Sequence, residues 1–214
     1  REIYLILSLV ISFVVIPLSF YLREKPTEIR PTPKEIKNYL QTTKIAISGR
    51  QLQFFLGLAG VGCCIAMAMP QVHIVAYCVG LGYGPTIGAE MLSLMLACGV
   101  ISRITFGVCA DRLGGFYTLI LSSTLQMLSL FLFLPFNGMM SLYVVSAIFG
   151  LSQGGIVPSY TLVVREFLPA HEAGQRIGIV LMLTIFGMAI GGWMSGWIFD
   201  QSGSYQIAFL NGIL

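Results

Sequence analysis

The chain carries one formal charge inside a long apolar run: Arg103, with no other Lys, Arg, Asp or Glu between Met91 and Ala110. An arginine at the centre of a membrane helix opposes insertion by about 2.5 to 3.5 kcal/mol, so such a residue turns to a cavity and meets an anion or a carboxylate. The alternative is that its long stem carries the guanidinium to the headgroups. Arg103 stands eight positions before Asp111, roughly 12 Å along a helix, which leaves both readings open. His73 and Gln71 follow Pro70 in another apolar run. Proline frees backbone groups there, and imidazole titrates near neutrality, so the pair suits hydrogen bonding to a solute or passage of a coupling proton. A neutral packing histidine is the competing reading. Gln153, beside Gly154 and Gly155, is a further cavity residue or an interhelical polar contact. Asp111 and Arg112, bounded by Gly107 and Gly115, place a carboxylate and a guanidinium in a tight turn, as a gate needs if helix ends pair in one conformation and separate in another. Ordinary loop polarity would look the same. Glu90 reads as interfacial.

These residues must be positioned by lipid-embedded helices. Of 214 residues, 56% are hydrophobic and 10% charged, against a usual charged share of about 25%. That composition excludes a water-soluble fold. The net charge is +3, and its placement follows topology rather than a nucleic-acid surface, so no nucleic-acid partner is expected. The cysteines Cys63, Cys64, Cys78, Cys98 and Cys109 lie in apolar segments without metal-ligand spacing, and no metal or other cofactor is expected. No H-E-x-x-H or G-x-S-x-G occurs and acidic residues are scattered, which argues against an enzyme.

A hydrocarbon core near 30 Å needs roughly 20 helical residues. The expected spans are 3–22, 52–79, 88–108, 117–135, 140–163 and 177–198, with a seventh starting near Gln206. Leu113 to Val164 is uncharged; at roughly 78 Å as a helix it must cross twice, reversing at Pro135-Phe136-Asn137-Gly138. Because the chain begins at Arg1 and stops at Leu214 within apolar sequence, it is expected to be a fragment. Basic residues crowd alternate loops, Arg23 to Arg50, then Arg112, then Arg165 and Arg176, which puts those loops in the cytoplasm and the amino end outside. Residues 23–51 read as a linker; Ile36, Tyr39 and Leu40 fall on one face of a possible surface helix there.

The segment Gly107-Val-Cys-Ala-Asp111-Arg112-Leu-Gly114-Gly115-Phe116 returns, at one constant offset, as Gly196-Trp-Ile-Phe-Asp200-Gln201-Ser-Gly203-Ser204-Tyr205. The first copy faces the cytoplasm and the second faces outward, so two three-helix units are inverted. Such repeats build many secondary transporters. The fold class expected is thus an all-α membrane protein with six complete spans, a truncated seventh, and inverted three-helix repeats.

The run Gly107-x-x-x-Asp111-Arg112-x-Gly114-Gly115 resembles the short-loop signature of the major facilitator superfamily in its carboxyl-terminal half. Phe149-Gly-Leu-Ser-Gln-Gly-Gly-Ile-Val-Pro158, Arg165-Glu-Phe-Leu-Pro169 and Gly191-Gly-Trp-x-x-Gly196-x-x-x-Asp200 resemble its bacterial branch near monocarboxylate transporters and oxalate/formate exchangers. The resemblance implies that residues 1–22 are the last helix of an amino-terminal half, 23–51 the cytoplasmic linker and 52–214 the carboxyl-terminal half. It implies a missing amino-terminal half, a bacterial inner membrane, and secondary transport of a small organic carboxylate, with the bilayer and a coupling proton as partners. It also implies that Arg103 contacts the substrate carboxylate. Two departures are Gly99, where some relatives have Asp, and the absence from the sixth span of the Lys that oxalate exchangers use; the missing second cation favours a monoanion. A heptahelical receptor or a channel is the rival reading, and its retinal-binding form is excluded because the last span has no Lys for a Schiff base.

Overall fold

The computed structural model describes residues 2–21 and 48–213; most of the expected linker, with Ile36, Tyr39 and Leu40, lies outside the described residues. All regular structure described is helical. Residues 1–36 form one unit and 37–214 a second. The first holds α1 (Glu2–Tyr21), a 20-residue apolar helix with Pro17 near its end.

The second unit begins with α2 (Gly49–Gly80), capped by Ser48, whose hydroxyl accepts from the Gln51 amide N–H while the Gln51 side chain returns to the Ser48 N–H. This reciprocal cap satisfies two donors that the first turn leaves open. α3 (Pro85–Leu113) starts after Gly84 (φ 85°) with proline at its first position and stops at Gly114 (φ 84°). Both glycines hold a left-handed backbone that a side chain would resist. α4 (Gly115–Leu132) follows at once, then α5 (Met139–Gln153), α6 (Ile156–Phe167), a 3-10 turn (Ala170–Glu172), α7 (Ala173–Ser202) and α8 (Tyr205–Ile213). Five stretches are long and apolar enough to cross a bilayer: α2, α3, α4, α5 with α6, and the 3-10 turn with α7.

The segment expected as one span over 140–163 is one candidate crossing, Met139–Phe167, interrupted only by a two-residue turn at Gly154 and Gly155 whose backbone stays right-handed between α5 and α6. Gly154 and Gly155 back directly onto α3, where a Cβ on Gly154 would lie 2.6 Å from the Gly99 carbonyl oxygen and one on Gly155 would strike the Phe106 ring. The fully buried Ser102 hydroxyl fills the break: it donates to the Leu151 carbonyl at 2.6 Å and accepts from the Gly154 N–H at 3.1 Å. A buried helix interruption persists only when its freed backbone groups find partners.

The longest seam joins α2 and α7. Cβ atoms on Gly187 and Gly191 would collide with the backbone of Val61 and Ile65, so the glycines set the closeness of these helices. At the opposite end from Ser48, Tyr77 donates to the Asn137 side chain at 2.8 Å and Tyr83 to the Asn137 carbonyl at 2.8 Å. These bonds tie the α4–α5 reversal to the end of α2. Tyr77, Phe133, Phe149, Tyr205 and Phe209 form the aromatic core beneath it.

Candidate functional site

Arg103, Gln71 and Gln153 line one cleft of about 170 Å³ between α2, α3 and the α5–α6 break, together with Met67, Leu96, Gly99, Val100, Gly154 and Val157. Each arrives there for a local reason. Gln71 follows Pro70, which is buried within α2. Gln153 is the last residue of α5 before the break and is buried. Arg103 directly follows Ser102, so the residue beside the guanidinium holds the break in place. Gly99 lies one turn before Arg103 and contributes no side chain, leaving the cleft open between α3 and the amide of Gln153. The Gln71 Nε2–H donates to Gln153 Oε1 at 2.6 Å. Among the described residues Arg103 forms no ion pair, in contrast to Arg176, which pairs with Glu172. Among the described residues the cleft presents the exposed Arg103 side chain, two amides and otherwise apolar or glycine positions.

His73 stands elsewhere. Its Nε2 lies 2.9 Å from the Gly192 carbonyl oxygen, and its ring tilts over Tyr205 with centroids 5.5 Å apart. A carbonyl only accepts, so Nε2 bears the proton and donates. Two positions along a helix turn the side chain by about 200°, so Gln71 and His73 face different neighbours. The structure brings Gln71, Arg103 and Gln153 together and sets His73 in the α2–α7 seam.

Asp111 and Arg112 are exposed in the last turn of α3. Gly107 is exposed too, and a Cβ on it would meet nothing within 4 Å. Gly115 is buried, and a Cβ there would lie 2.8 Å from the Leu162 side chain and 3.0 Å from the Val163 nitrogen. Its N–H donates to the Glu166 carboxylate at 2.7 Å. Glu166 thus caps α4 from another helix, where a negative charge meets the positive end of the backbone dipoles. Ser102 and Glu166 are the residues that sequence reasoning missed. Glu166 stood inside the quoted Arg165-Glu-Phe motif, whereas Ser102 gave no sign beyond its place before Arg103.

On the same end, the Arg176 guanidinium donates to Glu172 at 2.7 Å and to Gln53 Oε1 at 2.7 Å, joining the start of α7 to α2. This guanidinium holds the Glu172 carboxyl below its ordinary range. At the other end, Tyr143 donates to Glu90 at 2.5 Å. A larger groove of about 410 Å³, lined by Cys63, Ser123, Gln126, Met194 and Asn211 among others, contains none of the expected site residues.

Five stretches long and apolar enough to cross a bilayer, packed through glycine-mediated seams, fit a multi-pass helical membrane protein. The family profile of the Major Facilitator Superfamily matches residues 2–180 and 81–214, and the chain belongs to that family. It is 26% identical over 174 residues to "Monocarboxylate transporter 13" of Rattus norvegicus, covering 80% of this chain and 40% of the relative. Similarity to the "Gallate transporter" of Pseudomonas putida is 29% over 136 residues, 62% of this chain and 28% of that protein. A third relative, "MFS-type transporter opdF" of Penicillium oxalicum, is 27% identical over 158 residues, 68% of this chain and 37% of the relative. The chain thus spans less than half the length of these relatives. No solved structure matches. The heptahelical-receptor alternative is not favoured, since the family match and the relatives' names all point to transport.

Proposed function

We propose that this chain is one half of a secondary active transporter for a small organic monocarboxylate, working by alternating access against a second six-helix half. The observation that carries the reading is Arg103, a cation without a carboxylate partner among the described residues, lining a small cleft beside Gln71 and Gln153. A carboxylate entering that cleft would exchange water for a bidentate guanidinium contact in low dielectric. One cation and no second basic lining residue suit a monoanion better than a dicarboxylate. The relatives named for monocarboxylate and gallate transport support this class of solute.

In this reading the membrane is a plasma membrane, the amino end lies outside, and α2–α4 and α5–α8 are the inverted triplets. α1 closes the preceding half, and residues 23–51 link the two halves. Gly107, Asp111, Arg112 and Gly115 form the cytoplasmic gate element, with Glu166 fixing its turn. His73 holds the α2–α7 seam; passage of a coupling proton through it is the secondary reading, resting on an imidazole within a membrane-spanning helix.

The test is uptake of labelled monocarboxylates by the complete transporter in vesicles, comparing the natural protein with Arg103→Gln and Arg103→Lys. Loss of uptake in Arg103→Gln, with partial recovery in Arg103→Lys, is expected. Undiminished uptake in Arg103→Gln rejects the assignment.

A further inference from the structure

We propose that the Gln71–Gln153 hydrogen bond is a releasable clasp between α2 and the α5–α6 junction, closed in this conformation and open in the one that presents the cleft to the opposite side of the membrane. The inference rests on the alternating-access reading. Four successive residues at the junction are tied to three different helices. The Leu151 carbonyl accepts from the Ser102 hydroxyl of α3 at 2.6 Å, and the Gly154 N–H donates to the same hydroxyl at 3.1 Å. Between them, the Ser152 hydroxyl lies 3.1 Å from that of Ser129 on α4, and Gln153 Oε1 accepts from Gln71 Nε2 on α2 at 2.6 Å.

These ties differ in what can replace them. Ser102, Ser129 and Ser152 are at most 4% exposed, so parting them leaves buried groups unmatched and out of reach of water. The two amides line the cleft instead. Water or a solute there can satisfy Gln71 and Gln153 once they separate, which makes theirs the least costly of the ties to open. This holds whichever amide donates, because a flip of both exchanges oxygen and nitrogen and keeps the bond.

The clasp also joins two weak points. Pro70 lies inside α2 directly before Gln71; it has no N–H, which leaves the Ala66 carbonyl four residues back without its helical partner. Gln153 directly precedes the turn at Gly154 and Gly155. Elsewhere α2 packs mainly on α7 and α3, and α5 on α3 and α4, so the amides reach across a space without a close helix seam. One hydrogen bond at that place restrains both bendable points together. Its release frees α2 from the junction, while the serines keep the junction seated on α3 and α4.

The experiment follows Val100→Cys, at an exposed residue that lines the cleft, in the complete transporter with its other cysteines replaced. Labelling by an impermeant thiol reagent is timed on intact cells and on inverted vesicles, and the ratio of the two rates reports how the cleft divides its time between the two sides. Adding Gln71→Leu/Gln153→Leu, or the near-isosteric Gln71→Met, should change that ratio by about three- to tenfold, the worth of one neutral hydrogen bond. Ser129→Ala should leave the ratio unchanged, because that tie persists in both conformations. If the double variant does not accumulate, Gln71→Met decides alone. A ratio that Gln71→Met does not move overturns the inference, and so does an equal shift in Ser129→Ala. Labelling from one side only, with both glutamines in place, removes instead the alternating-access reading, and the clasp with it.

Discussion

The Ser102 hydroxyl accepts the Gly154 N–H at 3.1 Å and donates to the Leu151 carbonyl at 2.6 Å, so one side chain of α3 occupies the gap between α5 and α6. The helix break is a designed junction, with its open hydrogen bonds transferred to a neighbour. Ser102→Ala leaves both backbone groups buried and unmatched, which costs about 1–3 kcal/mol. The expected result is a lower melting temperature in detergent and reduced uptake, while Ser102→Thr, which keeps the hydroxyl, should be milder. Equal melting of the alanine variant and the natural protein would show that the hydroxyl contributes nothing.

Glu166 and Gly115 give a second graded test. Glu166→Gln keeps an oxygen that can accept the Gly115 N–H but loses the charge facing the start of α4, an effect of about 0.3–1 kcal/mol. Glu166→Ala removes the acceptor as well and should cost about 0.5–2 kcal/mol, like other lost helix caps. Thermal unfolding of the purified protein should rank them natural, then Gln, then Ala.

Gly107 and Gly150 separate packing from gating. A Cβ on Gly150 would press into the Met95 carbonyl oxygen, whereas one on Gly107 has open space around it. Gly150→Ala should therefore fail to accumulate as folded protein. Gly107→Ala should fold as well as the natural chain or slightly better, since alanine is favoured over glycine in a helix. Its uptake is the informative reading: a loss with normal folding places Gly107 against the other half of the transporter.

His73→Gln keeps a donor for the Gly192 carbonyl and removes the titratable ring. With His73 as a seam residue, uptake should stay within about threefold, the scale of one altered hydrogen bond, and its pH profile should not move. Loss of the response to a pH gradient, with solute exchange preserved, would instead assign the coupling proton to this imidazole.

Glu172 titrates below the ordinary carboxylate range because Arg176 donates to it. A depressed carboxyl contributes stability above its unfolded pKa and loses it as pH falls through the folded value. Glu172 is exposed and screened, so the effect is small. Comparing melting temperatures across pH 3 to 7, the natural protein should lose more on acidification than Glu172→Gln; parallel curves would dismiss the pair.

Much of the architecture was legible because membrane helices announce themselves through charge-free length, and because Gly84, Gly114 and Gly203, all at positive φ, mark the turns where runs end. The cluster of Arg103, Gln71 and Gln153 could be named but not assembled from sequence, since contact between helices depends on which face each presents. The pairing of Gln71 with His73 shows the limit: neighbours in sequence, they diverge around α2. Ser102 and Glu166 were hidden for the same reason, as their partners lie 52 and 51 residues away. The outward placement of Asp200 against Asp111 is testable with single cysteines at Arg112 and Gln201 in a cysteine-free background. Impermeant thiol reagents should reach Gln201→Cys from outside intact cells and Arg112→Cys only after permeabilisation; labelling of both from one side would dismantle the inverted arrangement.

Ser102 and Arg103 share a peptide bond, with the first seated in the α5–α6 junction and the second open to the cleft. Under the proposed function, whatever displaces the α3 backbone at Arg103 must also shift the anchor that Ser102 provides for Leu151 and Gly154, so the cleft and the junction cannot be altered independently at this point of the chain.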